Sequence, residues 1–204
     1  MKTYKINEIF YSIQGEGYQA GTPAVFVRFS GCNLQCPFCD TRHETGKEMT
    51  GQEIANEVDR LTNHRAGLIV LTGGEPLLQL DEPLVRMLLA CNRPYGVLAV
   101  ETNGTQPTDW LGTFPRVWVT CSPKRNGTPD DLPSADEYKV VYPTGIDLEA
   151  VELLGTTGAL LFLQPCTDKD PAVTQDNIDK AVEFVKQNKG WRLSLQTQKM
   201  ARFP

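Results

Sequence analysis

The sequence lacks several features that mark common functional classes. No apolar run approaches the roughly 20 residues that cross a membrane, and the polar start has no apolar segment typical of a secretory signal. Basic residues are not in excess: the formal net charge is −5 and there is no basic tail, which argues against a nucleic acid partner. We therefore expect a cytoplasmic, soluble protein without membrane association. Its 204 residues suit a single domain, 1–204.

A disulfide framework is also absent from the cysteine spacing. Of the six cysteines, Cys91, Cys121 and Cys166 are scattered, and we interpret them as ordinary thiols in a reducing compartment. The other three lie together in the segment Gly31–Asp40. They have the spacing C-x3-C-x2-C, and no fourth cysteine follows close behind. This segment is the most informative stretch of the chain.

The spacing of Cys32, Cys36 and Cys39 alone leaves alternatives open. Thiolates this close on a loop with glycine and proline can turn toward one centre, and soft sulfur ligands select zinc, cuprous copper or an iron–sulfur cluster. With three thiolates, one iron of a 4Fe–4S cluster stays open for a small molecule. His43 could instead complete a closed zinc site with the three cysteines. The third alternative is that they are unliganded core residues.

Short apolar runs recur along the chain, and each ends at a polar or glycine-rich cluster. Their length and β-branched content predict strands. The predicted strands are Ala24–Phe29, Leu68–Leu71, Val97–Val100, Val117–Val119, Tyr138–Tyr142, Leu160–Leu163 and Leu193–Leu195. Because the carboxyl ends of parallel strands open on one face, these polar clusters predict one shared ligand site.

Helical periodicity separates some of these strands. Ile54, Val58 and Leu61 repeat at helical spacing after Thr50, and Glu53 completes a capping-box pattern. Two further helices are predicted, one at Leu84, Leu88 and Leu89, and one at Ile178, Val182 and Val185 that begins at Thr174 or Asp176. Several connections are too short for a helix. The expected fold is α/β, an incomplete TIM-like barrel of about six parallel strands with few helices.

Two motifs together resemble one enzyme superfamily. The cysteine spacing, with Phe38 before the last cysteine, is similar to the cluster loop of the radical S-adenosylmethionine (SAM) enzymes. The segment Thr72–Pro76 resembles their GGEP motif, which holds the amino group of SAM, and the two motifs stand in the expected order. The resemblance implies that Cys32, Cys36 and Cys39 hold a 4Fe–4S cluster whose open iron binds SAM, and it argues against zinc.

A narrower resemblance extends over essentially the whole chain. The blocks that carry it are Phe10–Gly17, Arg28, Cys36–Thr41, Glu101–Thr105, Cys121–Lys124, Leu163–Pro165 and Leu195–Lys199, which resemble those of the 7-carboxy-7-deazaguanine synthases in order. The resemblance implies a radical SAM core. It also implies that 6-carboxy-5,6,7,8-tetrahydropterin is converted to 7-carboxy-7-deazaguanine, with loss of ammonia, in queuosine and 7-deazapurine biosynthesis. A homodimer and an electron donor such as flavodoxin are further implications.

The family resemblance also assigns residues to ligands. The residues implied for SAM are Gly73, Gly74, Glu75, Gly104, Ser122, Lys124 and Gln164. Those implied for the substrate are Ile13, Gln14, Gly15, Glu16, Arg28, Thr102, Gln198 and Pro204. A magnesium ion is implied at Thr41, with Asp40 supporting it from outside the coordination sphere. The C-terminal strand and tail, 191–204, would close the substrate site.

Residue chemistry gives separate support to some of these assignments. Arg28 would be a charged residue facing inward from an apolar strand, which is costly without a partner. A substrate carboxylate, which a guanidinium binds through two hydrogen bonds, would be a suitable partner. Gln14 and Glu16 offer the donor and acceptor groups that would recognise the edge of a pterin ring.

Two other functions are compatible with part of the sequence. An activating enzyme that generates a glycyl radical on a partner protein would share the cysteine loop and the small size. It would not require the segment Gln14–Gly17 or Arg28. A zinc-stabilised binding module is an alternative from a different class, and it would use only the cysteine loop.

One position departs from the family pattern. The family usually reads Gln-Thr-His-Lys near the end, whereas this chain has Gln198 in place of the histidine. Histidine can donate a charged hydrogen bond to a substrate carboxylate, and glutamine offers only neutral donors.

We predict that Gln198→His preserves activity or improves the affinity for the carboxypterin, because the variant restores the charged donor. Steady-state kinetics of the two proteins measure the effect. A loss of kcat/KM of about tenfold or more would contradict the prediction.

Overall fold

A computed structural model describes residues 2–63, 67–92, 94, 96–124, 132–143 and 145–204 of the chain. The strands are β1 (Thr3–Ile13), β2 (Pro23–Phe29), β3 (Lys47–Thr50), β4 (Leu68–Gly73), β5 (Val97–Thr102), β6 (Val117–Cys121), β7 (Glu137–Tyr142), β8 (Leu160–Pro165) and β9 (Trp191–Leu193). The α-helices are α1 (Gly51–Thr62), α2 (Glu82–Cys91), α3 (Leu148–Gly155), α4 (Pro171–Gln187) and α5 (Thr197–Ala201).

All nine of these strands form one sheet, in the order β3-β1-β2-β4-β5-β6-β7-β8-β9. The β1 strand pairs antiparallel with β2 and β3, and every pairing from β2 to β9 is parallel. Among the described residues β3 and β9 are the two edges, so the sheet is open. The α/β class and the incomplete barrel expected from the sequence are confirmed.

The predicted strands are present, with differences at both ends of the sheet. The last strand lies at Trp191–Leu193, two residues earlier than predicted. The sequence analysis missed β1 and β3, which extend the parallel sheet by an antiparallel edge. The β1 strand has no continuous apolar run, because Tyr4 and Ile6 are buried while Lys5 between them is exposed. Such alternation is typical of a strand with one buried face.

All three predicted helices contain the residues from which they were predicted, and α1 begins directly after Thr50 as expected. The capping box at the start of α1 is formed, since the Thr50 hydroxyl accepts from the Glu53 N–H and the Glu53 carboxylate accepts from the Thr50 N–H. The prediction for α4 began at Thr174 or Asp176 and was wrong. This helix begins at Pro171, because the Asp170 carboxylate caps it through the Ala172 N–H. The helices α3 and α5 were not predicted from the sequence.

The parallel strands have an apolar face toward the helices and a polar face toward a cavity. On β2, Val25, Val27 and Phe29 are buried in the core with residues of α1 and α2, whereas Phe26 and Arg28 line the cavity. The same alternation recurs on later strands, where the cavity side carries Thr72, Glu101, Thr120, Lys139 and Gln164. The two-residue period of a strand therefore places chemically active side chains on one surface.

Helices on the other face complete the core. Ile54 and Val58 of α1 pack with Leu84 and Leu88 of α2 in one apolar cluster. Ala181 of α4 belongs to a second cluster around β7 and β8.

Within the described ranges, no helix combines the length and the apolar character that a membrane span requires.

We predict that Thr50→Ala lowers the free energy of unfolding by about 1 kcal/mol, because it removes the side-chain cap of α1. The matched control, Thr50→Ser, keeps the hydroxyl and should stay within about 0.5 kcal/mol of the parent protein. Urea unfolding of the three proteins measures the difference. Equal losses in both variants would show that the cap does not stabilise this helix.

Candidate active site

A single cavity of about 770 Å³ brings most of the predicted site residues together. It lies on the polar face of the sheet and extends to the loops that follow the strands. The residues predicted for the cluster, SAM, substrate and magnesium all line it except Glu75 and Gly104. The volume lies within the roughly 300–1,000 Å³ typical of ligand sites.

The cysteine loop closes one side of this cavity. It connects β2 to β3, and its base is fixed by hydrogen bonds from Gly31 N–H to the His43 carbonyl (2.8 Å) and from the Ser30 hydroxyl to the Thr45 carbonyl (2.6 Å). Cys32, Cys36 and Cys39 all line the cavity as free thiols. The loop thus presents three sulfur donors to one space.

The arrangement of the thiols suits a cluster better than a single ion. Among the residues that the structure describes, no three His, Cys, Asp or Glu side chains are gathered to hold one metal ion. The closed zinc site with His43 is therefore not assembled. Thiolates that bind a 4Fe–4S cluster attach to separate irons, so they need not converge on one point. Three thiols around a shared cavity fit this donor set.

The thiols are close enough to influence one another. Burial raises the pKa of Cys36, and Cys39 and Cys32 raise it further, while the Lys124 ammonium lowers it. Burial lowers the pKa of Lys124 itself, with a further contribution from Lys139. Lys124 donates to the Ser122 hydroxyl at 2.5 Å and lies 5.8 Å from the centre of the Phe38 ring. A cation therefore stands beside the loop that would hold an anionic cluster.

The glycines at the end of β4 pack directly against the start of the cysteine loop. Gly73 has φ of +125°, a conformation that favours glycine. A Cβ on Gly74 would collide with the Gly31 carbonyl oxygen. Hydrogen bonds join the segments from Gly74 N–H to the Phe29 carbonyl (3.0 Å) and from Glu75 N–H to the Gly31 carbonyl (2.9 Å). The absence of side chains on these glycines thus permits the contact.

Glu75 lies behind the cavity wall, where it is fully buried. Its carboxylate accepts from Leu77 N–H (3.0 Å), the Thr102 hydroxyl (2.9 Å) and Asn103 N–H (2.7 Å). Burial raises the pKa of Glu75, and these three hydrogen bonds act against that shift. In this arrangement Glu75 joins the end of β4 to the end of β5. Its predicted contact with SAM stays a prediction, as does that of Gly104.

A second wall of the cavity carries hydrogen-bond acceptors. Gln14 donates from its side-chain amide to Glu101 Oε1 at 2.8 Å, and its own oxygen accepts from Glu16 N–H at 3.2 Å. Lys139 donates to Glu16 Oε2 at 2.6 Å and lies 3.6 Å from Glu101 Oε2. One network thus connects polar residues of the loop after β1 with polar residues of β5 and β7.

The C-terminal segment joins the same network through Glu16. Gln196 and Gln198 both donate to Glu16 Oε1, at 2.9 and 2.8 Å, and the Thr197 hydroxyl donates to the Gly15 carbonyl at 2.9 Å. Burial alone would raise the pKa of Glu16, but Lys139 and the two glutamines more than offset it, and the pKa falls to about 2. Glu16 is therefore a carboxylate at neutral pH, with three donors supplied by the protein.

Arg28 has a protein partner that the sequence did not reveal. Its Nε donates to Glu8 Oε1 on the adjacent strand at 2.8 Å. One terminal nitrogen lies 3.5 Å from the Thr41 hydroxyl. Arg28 nevertheless lines the cavity, so its remaining donors are available to a ligand there.

Asp40, Thr41 and the chain's last residues lie at the cavity rim. Asp40 forms an ion pair with Lys199 at 2.5 Å, which ties the cysteine loop to α5. Pro204 accepts a short hydrogen bond from the Ser12 hydroxyl and lines the cavity with Ile13. The predicted substrate and magnesium residues are therefore neighbours in space.

Several cavity residues were not predicted from the sequence. Lys139 lies between apolar neighbours on β7, the same pattern that drew attention to Arg28, and could have been found in that way. Glu101 begins a block that the family resemblance included, but no role was assigned to it. The stacked rings of Phe10 and Phe26, with centres 5.0 Å apart, also line the cavity. Nothing in the sequence distinguishes these two from core phenylalanines.

The chain is similar to known proteins along most of its length. Residues 26–120 match the family model described as the Radical SAM superfamily. A 7-carboxy-7-deazaguanine synthase of Bacteroides thetaiotaomicron is 48% identical over 96% of each chain. One from Nitratidesulfovibrio vulgaris is 38% identical over 99% of this chain and 100% of its own.

Among solved structures, that of QueE from Escherichia coli has a TM-score of 0.72 and 29% identity. It covers 95% of this chain and 94% of that one. SuiB of Streptococcus suis matches with a TM-score of 0.54 at 14% identity, covering 81% of this chain and 47% of that one, so it shares only the fold.

We predict that Gly74→Ala destabilises the protein by about 2 kcal/mol or more, because the new methyl group must displace the backbone at Gly31. Gly112→Ala is the matched control, since a Cβ there meets no atom within 4 Å. It should change stability by no more than about 0.5 kcal/mol. Thermal and urea unfolding measure both. Equal stability of the two variants would contradict the proposed close packing.

Proposed function

This chain belongs to the 7-carboxy-7-deazaguanine synthases of the radical SAM superfamily, and on that premise we propose that its cavity binds 6-carboxy-5,6,7,8-tetrahydropterin beside a thiolate-held 4Fe–4S cluster. The enzyme converts this pterin to 7-carboxy-7-deazaguanine with release of ammonia. The observation that carries the proposal is one shared cavity for the three thiols, the acceptor wall of Gln14 and Glu16, and Arg28.

Cys32, Cys36 and Cys39 would hold the cluster. The SAM contacts would come from Gly73, Gly74, Ser122, Lys124 and Gln164, which line the same cavity. When bound, the cluster and SAM supply the one-electron chemistry by which this superfamily activates a C–H bond. The protein's own contribution is to place the substrate and to exclude other reactants. Gly104 and Glu75 would act from behind the wall by shaping the ends of β4 and β5.

The charges of the cavity match the two ends of the substrate. A pterin has a 2-amino-4-oxopyrimidine ring with N–H donors at one end, and this substrate has a carboxylate at the other. Gln14 and Glu16 offer acceptors for the ring, while Arg28 offers donors for the carboxylate. Phe26 also lines the cavity and can support a flat ring.

The polarity of the cavity distinguishes this proposal from its rivals. An enzyme that acts on a partner protein's glycine has no need of a buried acceptor wall deep in the cavity. A zinc module requires a closed site, and the described residues do not assemble one.

Thr102 and Ile13 would complete the substrate contacts, and the segment 196–204 would cover the bound ring.

The proposal also includes a magnesium ion, an electron-donating protein and a homodimeric state. Thr41 would contribute its hydroxyl to a magnesium ion that also binds substrate oxygens, since Mg²⁺ uses few protein ligands and keeps several waters. Asp40 would hold Thr41 in place through its ion pair with Lys199. A flavodoxin would deliver the electron, and the enzyme would act as a homodimer.

The proposal is tested by anaerobic turnover of the cluster-loaded protein with SAM, a reductant and 6-carboxy-5,6,7,8-tetrahydropterin. We expect 7-carboxy-7-deazaguanine and an equal amount of ammonia. Cys36→Ser should abolish the activity, whereas Cys91→Ser, at a half-buried cysteine outside the cavity, should retain it. Absence of product from protein that is shown to carry a cluster would overturn the proposal.

The magnesium site gives a separate prediction. Thr41→Ala should raise the Mg²⁺ concentration that gives half-maximal activity by about tenfold, because it removes the protein ligand. Thr45→Ala, on the same loop, is the matched control and should leave this concentration unchanged. A titration of activity with MgCl₂ after treatment with a chelator measures both variants. Identical titrations would remove Thr41 from the metal site.

A further inference from the structure

Lys139 is a buried charge in a position where an apolar residue would be less costly. It is 4% exposed, and it lies on β7 between the buried residues Tyr138 and Val140. Its ammonium meets the carboxylates of Glu16 and Glu101 on the cavity wall. Replacing a buried ion pair by apolar side chains is often neutral or stabilising. Stability alone therefore does not explain this network.

The two carboxylates differ in how much of their acceptor capacity the protein uses. A carboxylate has about four acceptor positions. On Glu16, Lys139, Gln196 and Gln198 occupy three of them. On Glu101, Gln14 provides one hydrogen bond of 2.8 Å, and Lys139 is at 3.6 Å, beyond a direct hydrogen bond. The Glu101 side chain is 25% exposed and lines the cavity.

The groups around Lys139 come from every side of the network. Glu16 and Glu101 face it from the loop after β1 and from β5, and Lys124 lies nearby at the end of β6. Glu137, two residues before Lys139 on the same strand, is buried and is not among the cavity-lining residues; it accepts from Tyr18 N–H (2.9 Å) and the Thr120 hydroxyl (3.0 Å). The protein therefore supplies donors to both oxygens of Glu137, whereas Glu101 lines the cavity with acceptor positions to spare.

We infer that Glu101 is a further substrate-contacting residue and that Lys139 is the positioning residue that orients it. Glu101 accepts hydrogen bonds from adjacent N–H groups of the 2-amino-4-oxopyrimidine ring, and Lys139 with Gln14 fixes the carboxylate for this contact. A carboxylate suits two parallel N–H donors in the same way as it suits a guanidinium. The inference rests on the proposed function and extends it, because it names the side chain that selects the aminopyrimidine edge.

The test measures binding of 6-carboxy-5,6,7,8-tetrahydropterin to cluster-loaded protein with SAM and no reductant, by anaerobic calorimetry. Glu101→Gln keeps the size of the side chain and the hydrogen bond from Gln14. We expect the dissociation constant to rise by about 10- to 100-fold, as for loss of a hydrogen bond to a charged group. Glu183→Gln, which makes the same change at an exposed carboxylate of α4 outside the cavity, is the control and should leave it unchanged.

Lys139→Met tests the positioning role through a double-mutant cycle with Glu101→Gln. If Lys139 acts through Glu101, the double variant binds no more weakly than the weaker single variant, because both changes remove the same contact. In turnover, KM should rise more than kcat falls. Lys180→Met, which removes an exposed ion pair on α4, should have no effect on binding. The single variant Glu101→Gln keeps the test decisive if Lys139→Met does not fold.

Two negative outcomes are distinguishable. Parent protein that fails to bind the carboxypterin overturns the proposed function and this inference with it. Parent protein that binds, together with a Glu101→Gln variant of equal affinity, overturns only the role of Glu101. A different result would show that Lys139 is merely structural. In that case the losses of carboxypterin affinity in the two single variants would multiply in the double variant, and Lys139→Met would have a lowered melting temperature.

Discussion

The close approach of the Gly74 and Gly31 backbones determines where the cysteine loop lies. A side chain on Gly74 would collide with the Gly31 carbonyl, and two hydrogen bonds between the segments hold them in place. The loop that carries the three thiols is therefore attached to the end of β4 and cannot drift toward solvent. Because Glu75 then joins β4 to β5 through Thr102 and Asn103, the same contact also aligns the next strand end. The geometry of the whole cavity depends on this packing.

The polar face of the sheet is tolerated because its charges are paired or lie at the cavity. Lys139 has Glu16 and Glu101 as partners, Arg28 has Glu8, and Lys199 has Asp40. Burying a charge without a partner would cost several kcal/mol (about 3–5 when one partner is removed). The pairs leave some acceptors and donors facing the cavity, so the same network that permits folding also recognises a ligand.

The parallel strands were predictable from the sequence because each contains a short apolar run with a clear stop, as in Leu68–Leu71. The β1 strand was not predicted, because it alternates buried and exposed residues and was not recognised by a continuous apolar run. The α3 helix was not predicted either, although Asp147 before an apolar stretch was an available cap signal. The list of cavity residues followed mainly from the family resemblance. The sequence could not reveal which charges pair across strands. Glu8 pairs with Arg28, and Lys139 pairs with Glu101, although the members of each pair are distant along the chain. Only the folded sheet brings them together.

The central claim is that three cysteine thiolates hold a cluster with one iron open toward a cavity whose far wall binds a pterin. An anaerobic crystal structure of the cluster-loaded enzyme with SAM and 6-carboxy-5,6,7,8-tetrahydropterin tests it most directly. The account predicts sulfur ligation by Cys32, Cys36 and Cys39, SAM on the fourth iron, and the pterin ring against Gln14, Glu16 and Glu101. Ligation of the fourth iron by a protein side chain such as His43 or Cys166, or a pterin bound outside this cavity, would contradict it.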